Sequence, residues 1–213
     1  MTSSTTTSAD AAPRKKSVIP IALTIFRIVM APVIAALILW AASEIYTDRI
    51  VAGLIYVLTL LIFIAAALTD WLDGYLARKL DAVTPLGAAL DHSADKVLIT
   101  CALVALAYAA LPMPLVFAAV LILGRDVAMA GLREGIAAQG KTLPVSSLGK
   151  WKATAEMAGV GVFLAFQIAA LMPGAPISVV LGLDWAARIL IWAAALLALI
   201  SGGQYLATLL KRT

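Results

Sequence analysis

Six apolar runs long enough to cross a bilayer, at about residues 20–42, 50–79, 84–111, 115–138, 148–172 and 185–210, constrain what this chain can become. A spanning helix needs roughly 20 mostly apolar residues, because lipid offers the backbone no hydrogen-bond partners. The runs occupy nearly all of the 213 residues, and with 63% of residues hydrophobic and 13% charged there is too little polar surface for a water-soluble core. The expected fold is therefore an all-α polytopic membrane protein with six transmembrane helices in one bundle, covering residues 17–213. Breaks fall at Thr84 and Pro85, Pro112 and Pro114, Gly140 and Pro144, and at Pro173, Gly174 and Pro176.

Residues 1–16, "MTSSTTTSADAAPRKK", are small, polar and finally basic, and read as a disordered cytoplasmic tail. The basic cluster and apolar run that follow have the outline of a secretory signal, but Arg27 interrupts the run and its length suits a span. It is read as a retained helix. Lys and Arg concentrate on the cytoplasmic side of short loops. A cytoplasmic amino terminus puts Arg14, Lys15, Lys16, Arg78, Lys79, Lys141, Lys150, Lys152, Lys211 and Arg212 at that face, with Arg49 and Arg188 outside it. Both termini are then cytoplasmic. Cys101, the only cysteine, reads as a buried thiol, and Trp40, Tyr46, Tyr56 and Trp185 read as residues of the membrane interfaces. The net charge of +4 sits at membrane boundaries and points to anionic headgroups or phosphorylated substrates rather than nucleic acid.

One stretch contradicts its apolar surroundings: "DWLDGYLARKLDAVTPLGAALDHSAD", residues 70–95. Asp70, Asp73, Gly74, Ala77 and Arg78 fall on one helical stripe, and Gly87, Asp91 and Asp95 repeat every four residues on another. Thr84 and Pro85 can start the second helix. Folding the arms antiparallel about residues 82–83 brings Asp70 level with Asp95 and Asp73 level with Asp91, about 13–18 Å from the turn at 1.5 Å per residue. Four carboxylates at that depth must be hydrated, paired or metal-bound. Pairing with Arg78, Lys79 and Lys96 is the purely structural possibility, whereas oxygen donors without clustered Cys or His favour one or two hard divalent cations. Gly74, Ala77 and Gly87 beside the acids leave room for a ligand against the backbone, or for close helix packing.

The stretch fits D-x-x-D-G-x-x-A-R-x8-G-x-x-x-D-x-x-x-D at every specified position and resembles the signature of the CDP-alcohol phosphotransferases. Residues 17–34 and 124–157 are similar to the corresponding segments of members that form phosphatidylglycerophosphate. Val18 and His92 depart from the common residues at their positions. The resemblance implies six-helix membrane enzymes, usually homodimers, that transfer a phosphatidyl group from CDP-diacylglycerol to an alcohol. It implies Asp70, Asp73, Asp91 and Asp95 as ligands of Mg²⁺ or Mn²⁺, two ions being expected, and Asp95 as general base. Asp70, Gly74, Ala77, Arg78 and Gly87 are then the nucleotide-binding positions.

An acceptor such as glycerol 3-phosphate needs fixed cations for its phosphate. Arg125, Arg133, Lys150 and Lys152 are the candidates, with an ion pair to Asp126 the alternative for Arg125 and membrane anchoring the alternative for the others. No nucleophile stands in an activated arrangement, so a single displacement is expected. Inositol phosphate, serine and phosphatidylglycerol are competing acceptors, and a divalent-cation transporter is the reading from a different class. "SGGQY", residues 201–205, can let helices approach closely, and Glu156 can balance a neighbouring cation.

Overall fold

A computed structural model describes the backbone over residues 19–79, 85–138, 140 and 147–210, and side chains over residues 22–69, 90, 93–138, 140, 148–149 and 151–207. Among these residues there are six helices and no strand: α1 Ile19–Glu44, α2 Arg49–Lys79, α3 Pro85–Ala109, α4 Met113–Ala137, α5 Ser147–Leu171 and α6 Ile177–Leu210. Five of them, α1, α2, α4, α5 and α6, carry stretches long and apolar enough to cross a membrane. The tail expected over residues 1–16 lies outside the described residues.

The helix ends follow local chemistry. Asp48 caps α2, its Oδ1 accepting from the backbone N–H groups of Ile50 at 2.9 Å and Val51 at 3.1 Å. Pro112 adopts an extended backbone ahead of α4, and its carbonyl accepts from Leu115 and Val116. After α5 the chain reverses through Gly174, whose φ of 83° is favoured by a residue without a Cβ. The sixth helix begins at Ile177, eight residues before the expected start at 185. Gly182 weakens a helix but does not end one when apolar residues surround it. The Pro176 carbonyl accepts from Val179 and Val180 to open this helix, and Asp184 and Arg188 brace its first turns as an i,i+4 pair at 2.8 Å.

Packing joins α1 to α2 and α3, α5 to α2 and α6, and α4 to α6. The core runs through Ile34, Ile38, Leu98, Leu106, Phe163 and Ile191. Tyr56 belongs to this core and is fully buried, not at an interface as its residue type suggested. It lies on the same stripe of α2 as Ala52, Thr59, Phe63 and Ala66, at the i+3 and i+4 steps that face the bundle. Outward positions such as Leu61, Leu68, Phe117, Val127 and Ile189 are apolar and exposed, as a lipid-facing surface requires. The chain is thus a multi-pass membrane protein.

The tightest contact is between α5 and α6. A Cβ on Gly159 would lie 2.9 Å from Ile191 Cγ1 and 3.3 Å from the Ile191 backbone nitrogen. Gly159→Ala is accordingly expected to lower stability by about 1–3 kcal/mol through overpacking, read as a lower thermal unfolding midpoint in detergent. An unchanged midpoint would mean that the helices separate at no cost.

Candidate active site

The acidic signature occupies two helix ends. Asp70, Asp73, Gly74, Ala77 and Arg78 lie on the final turns of α2, and Gly87, Asp91 and Asp95 on the first turns of α3. Both backbones are continuous α-helix through these positions, so Asp70 and Asp73 share one face and Asp91 and Asp95 share another. That spacing of oxygen donors fits a hard divalent cation. Except for Asp95, the side chains of these residues and their expected convergence lie outside the described residues, as does the side chain of Lys150.

Asp95 projects from α3 at 29% side-chain exposure and forms an ion pair with Arg27 of α1, whose side chain is completely buried. A guanidinium in that setting is stable only when its charge is compensated. In the sequence Arg27 stands out only as an interruption of an apolar run. The signal was its burden of charge within a membrane helix.

Beside Asp95 a cavity of about 210 Å³ opens between α3, α4, α5 and α6. Arg125, Arg133 and Lys152, three of the four candidate acceptor cations, line it together with Lys96, Asp126 and Glu156. Helices of alternating direction place the starts of α1, α3 and α5 and the ends of α2, α4 and α6 at one end of the bundle. Asp95, Arg27, Arg133 and Lys152 all lie toward that end.

The polar groups are fixed before any ligand arrives. Arg125 Nε donates to the Ala198 carbonyl at 3.2 Å, Nη2 to Ser201 Oγ at 2.8 Å and Nη1 to Asp126 Oδ1 at 3.1 Å. Three of its five N–H donors are engaged, and one on each terminal nitrogen remains for a ligand. Gly202 packs against this side chain, and a Cβ there would lie 3.4 Å from Arg125 Cγ, an ordinary contact distance. Ser201 and Gly202 of "SGGQY" thus adjoin an arginine within the bundle. The ion pair expected as the alternative for Arg125 is present, and it leaves the guanidinium at the cavity.

Lys152 is 5% exposed, and its ammonium sits 2.6 Å from each Asp126 oxygen and 2.7 Å from Glu156 Oε1. Lys96 Nζ donates to the Asp126 carbonyl at 3.4 Å. Asp126 thus ties α4 to α3 and α5. Chemically, the arrangement offers a carboxylate at the mouth of a preorganised cationic cavity, suited to holding an anionic group beside a group that accepts a proton.

Comparisons with known proteins agree with the motif. A "CDP-diacylglycerol–glycerol-3-phosphate 3-phosphatidyltransferase" of Rickettsia bellii is 35% identical over 191 residues, covering 88% of this chain and 92% of its own length. One of the same name from Haemophilus influenzae is 39% identical over 150 residues, 68% of this chain and 75% of that protein. A "Cardiolipin synthase (CMP-forming)" of Oryza sativa subsp. japonica is 36% identical over 169 residues, 72% of this chain, and the match spans 47% of the rice protein. Residues 17–201 match the family described as CDP-alcohol phosphatidyltransferase, a span that contains the acidic signature and every described residue of the cavity except Tyr205, and the chain belongs to that family.

Proposed function

We propose that the protein transfers the phosphatidyl group of CDP-diacylglycerol to glycerol 3-phosphate, forming phosphatidylglycerophosphate and CMP. The observation that carries this reading is the cavity beside Asp95, where, among the described lining residues, Lys96, Arg125, Arg133 and Lys152 outnumber Asp126 and Glu156 and Asp95 pairs with Arg27. A surplus of about two positive charges matches a phosphate monoester, which carries about −1.5 to −2 at neutral pH. The Rickettsia relative, which matches over most of both chains, bears the name of this reaction.

In this reading Arg125, Arg133, Lys150 and Lys152 hold the acceptor phosphate, and Arg27 orients the Asp95 carboxylate. Asp95 takes the proton of the acceptor hydroxyl, whose oxygen attacks the lipid-linked phosphorus as the bond from that phosphorus to the bridging oxygen of CMP breaks. Gly74, Ala77, Arg78 and Gly87 seat the nucleotide with Asp70. A divalent cation, Mg²⁺ or Mn²⁺, held by Asp70, Asp73, Asp91 and Asp95 would neutralise the diphosphate and stabilise leaving CMP. Six spans, both termini and the site on the cytoplasmic side of the inner membrane, and a homodimer complete the proposal. The basic face at the end of the bundle that holds the site supports the orientation.

The test is CMP release from CDP-diacylglycerol by purified protein in detergent, with glycerol 3-phosphate, inositol phosphate, serine and phosphatidylglycerol offered in turn. Release is expected to depend on glycerol 3-phosphate, to stop on chelation and to return with Mg²⁺ or Mn²⁺. Stimulation by phosphatidylglycerol alone would favour the second reading, which the rice relative's name supports. Failure of every acceptor with folded protein would return the acids to a transport role.

A further inference from the structure

Glu156 has no part in the transfer as described, yet it lines the cavity at 5% exposure, one helical turn from Lys152. An ammonium has three N–H donors. Around Lys152 three oxygens already stand within 2.7 Å, two from Asp126 and one from Glu156. A phosphate that engages Lys152 must therefore compete with these carboxylates for the ammonium. Asp126 is held in place by Arg125 as well as by Lys152, whereas Glu156 pairs with Lys152. Glu156 is the group that yields.

We propose that Glu156 is a specificity-determining residue, an internal anion that competes with the acceptor's phosphate for Lys152 and so sets the affinity of the cavity for phosphate monoesters. The inference rests on the reading of the cavity as the acceptor site. With the glutamate in place, two carboxylates share one ammonium, and the attraction left for a weakly charged ligand is small. A phosphate monoester, with its greater charge, can displace the glutamate where a monoanion cannot. The competition thereby favours doubly charged acceptors over singly charged ones.

Glu156→Gln removes the competing charge, keeps the shape and leaves an amide oxygen able to accept from Lys152. It is expected to lower the KM for glycerol 3-phosphate about tenfold, the equivalent of one modestly screened charge. Binding of inorganic phosphate, measured calorimetrically on the detergent-solubilised protein without donor, is expected to tighten by a similar factor. A merely structural glutamate cannot produce this result, because loosening the cavity weakens binding. Glu156→Asp, which retracts the carboxylate by one methylene, is expected to shift both readings in the same direction by less, and it carries the test if the glutamine variant does not fold. Lys152→Gln added to either variant is expected to abolish the gain. Unchanged or weaker phosphate binding in folded Glu156 variants, with wild-type transfer to glycerol 3-phosphate intact, overturns the role of Glu156 alone. Wild-type protein that neither binds phosphate nor uses glycerol 3-phosphate overturns the acceptor-site reading and this inference with it.

Discussion

Asp95→Asn is expected to lower kcat for CMP release by about 10²–10⁴-fold, the range that a positioned proton acceptor supplies. The amide cannot take the acceptor's proton, and it is a poorer ligand for a hard cation. The same change has a second consequence, because Asp95 is an ion-pair partner of the fully buried Arg27. An asparagine oxygen can still accept from the guanidinium, so the loss of stability is expected to be about 1–3 kcal/mol. Asp95→Ala removes both charge and acceptor from beside the buried guanidinium, and breaking a buried pair in this way costs about 3–5 kcal/mol. The two variants should therefore be equally inactive and unequally stable, which steady-state kinetics and thermal unfolding in detergent separate. An asparagine variant that retains more than about a tenth of wild-type turnover would remove Asp95 from the role of base.

The helices were legible because each is an apolar run closed by residues that cannot continue it. Pro112 and the pair Pro173 and Gly174 end or start helices where their chemistry demands. The early start of α6 is not legible as an apolar run, because Gly182 and Asp184 interrupt it, while the backbone ladder and the Asp184–Arg188 pair carry the helix through them. Tyr56 shows the same limit. Residue type suggested a boundary, but the stripe on which it falls determines its burial, and that stripe had to be read together with its neighbours.

Within the site, legibility depended on distance along the chain. Lys152 and Glu156 are four apart on a helix, so their contact follows from spacing. The partners of Lys152 and Arg125 on other helices, Asp126 and Ser201, lie 26 and 76 residues away. No local period encodes such pairs. The residue type still held a clue, since every ionisable group deep in a membrane helix needs a compensating partner. Arg125, Arg133 and Lys152 could therefore be identified as functional candidates from sequence, with Asp126 as a partner for Arg125, but the reach of Asp126 to Lys152 on another helix could not be assigned.

Arg27→Met tests another such long-range relationship, the pair that joins α1 to Asp95 across 68 residues. The guanidinium fixes one carboxylate oxygen, and removing such an outer partner of a metal ligand or base is expected to lower activity about 10–100-fold. Its effect on stability should be milder than that of Asp95→Ala, because the carboxylate left behind is 29% exposed and can be hydrated, whereas the Arg27 side chain is completely buried. Arg27→Lys keeps the charge but loses the planar fork, so it should recover part of the activity. The stability cycle built from Arg27→Met, Asp95→Asn and the double variant is expected to show a coupling of about 0.5–3 kcal/mol. Additivity within about 0.3–0.5 kcal/mol would mean that the two side chains act independently. Coupling in stability together with a selective loss in kcat would make α1 part of the catalytic apparatus, because the helix that lies outside the acidic signature would then hold its last carboxylate in place.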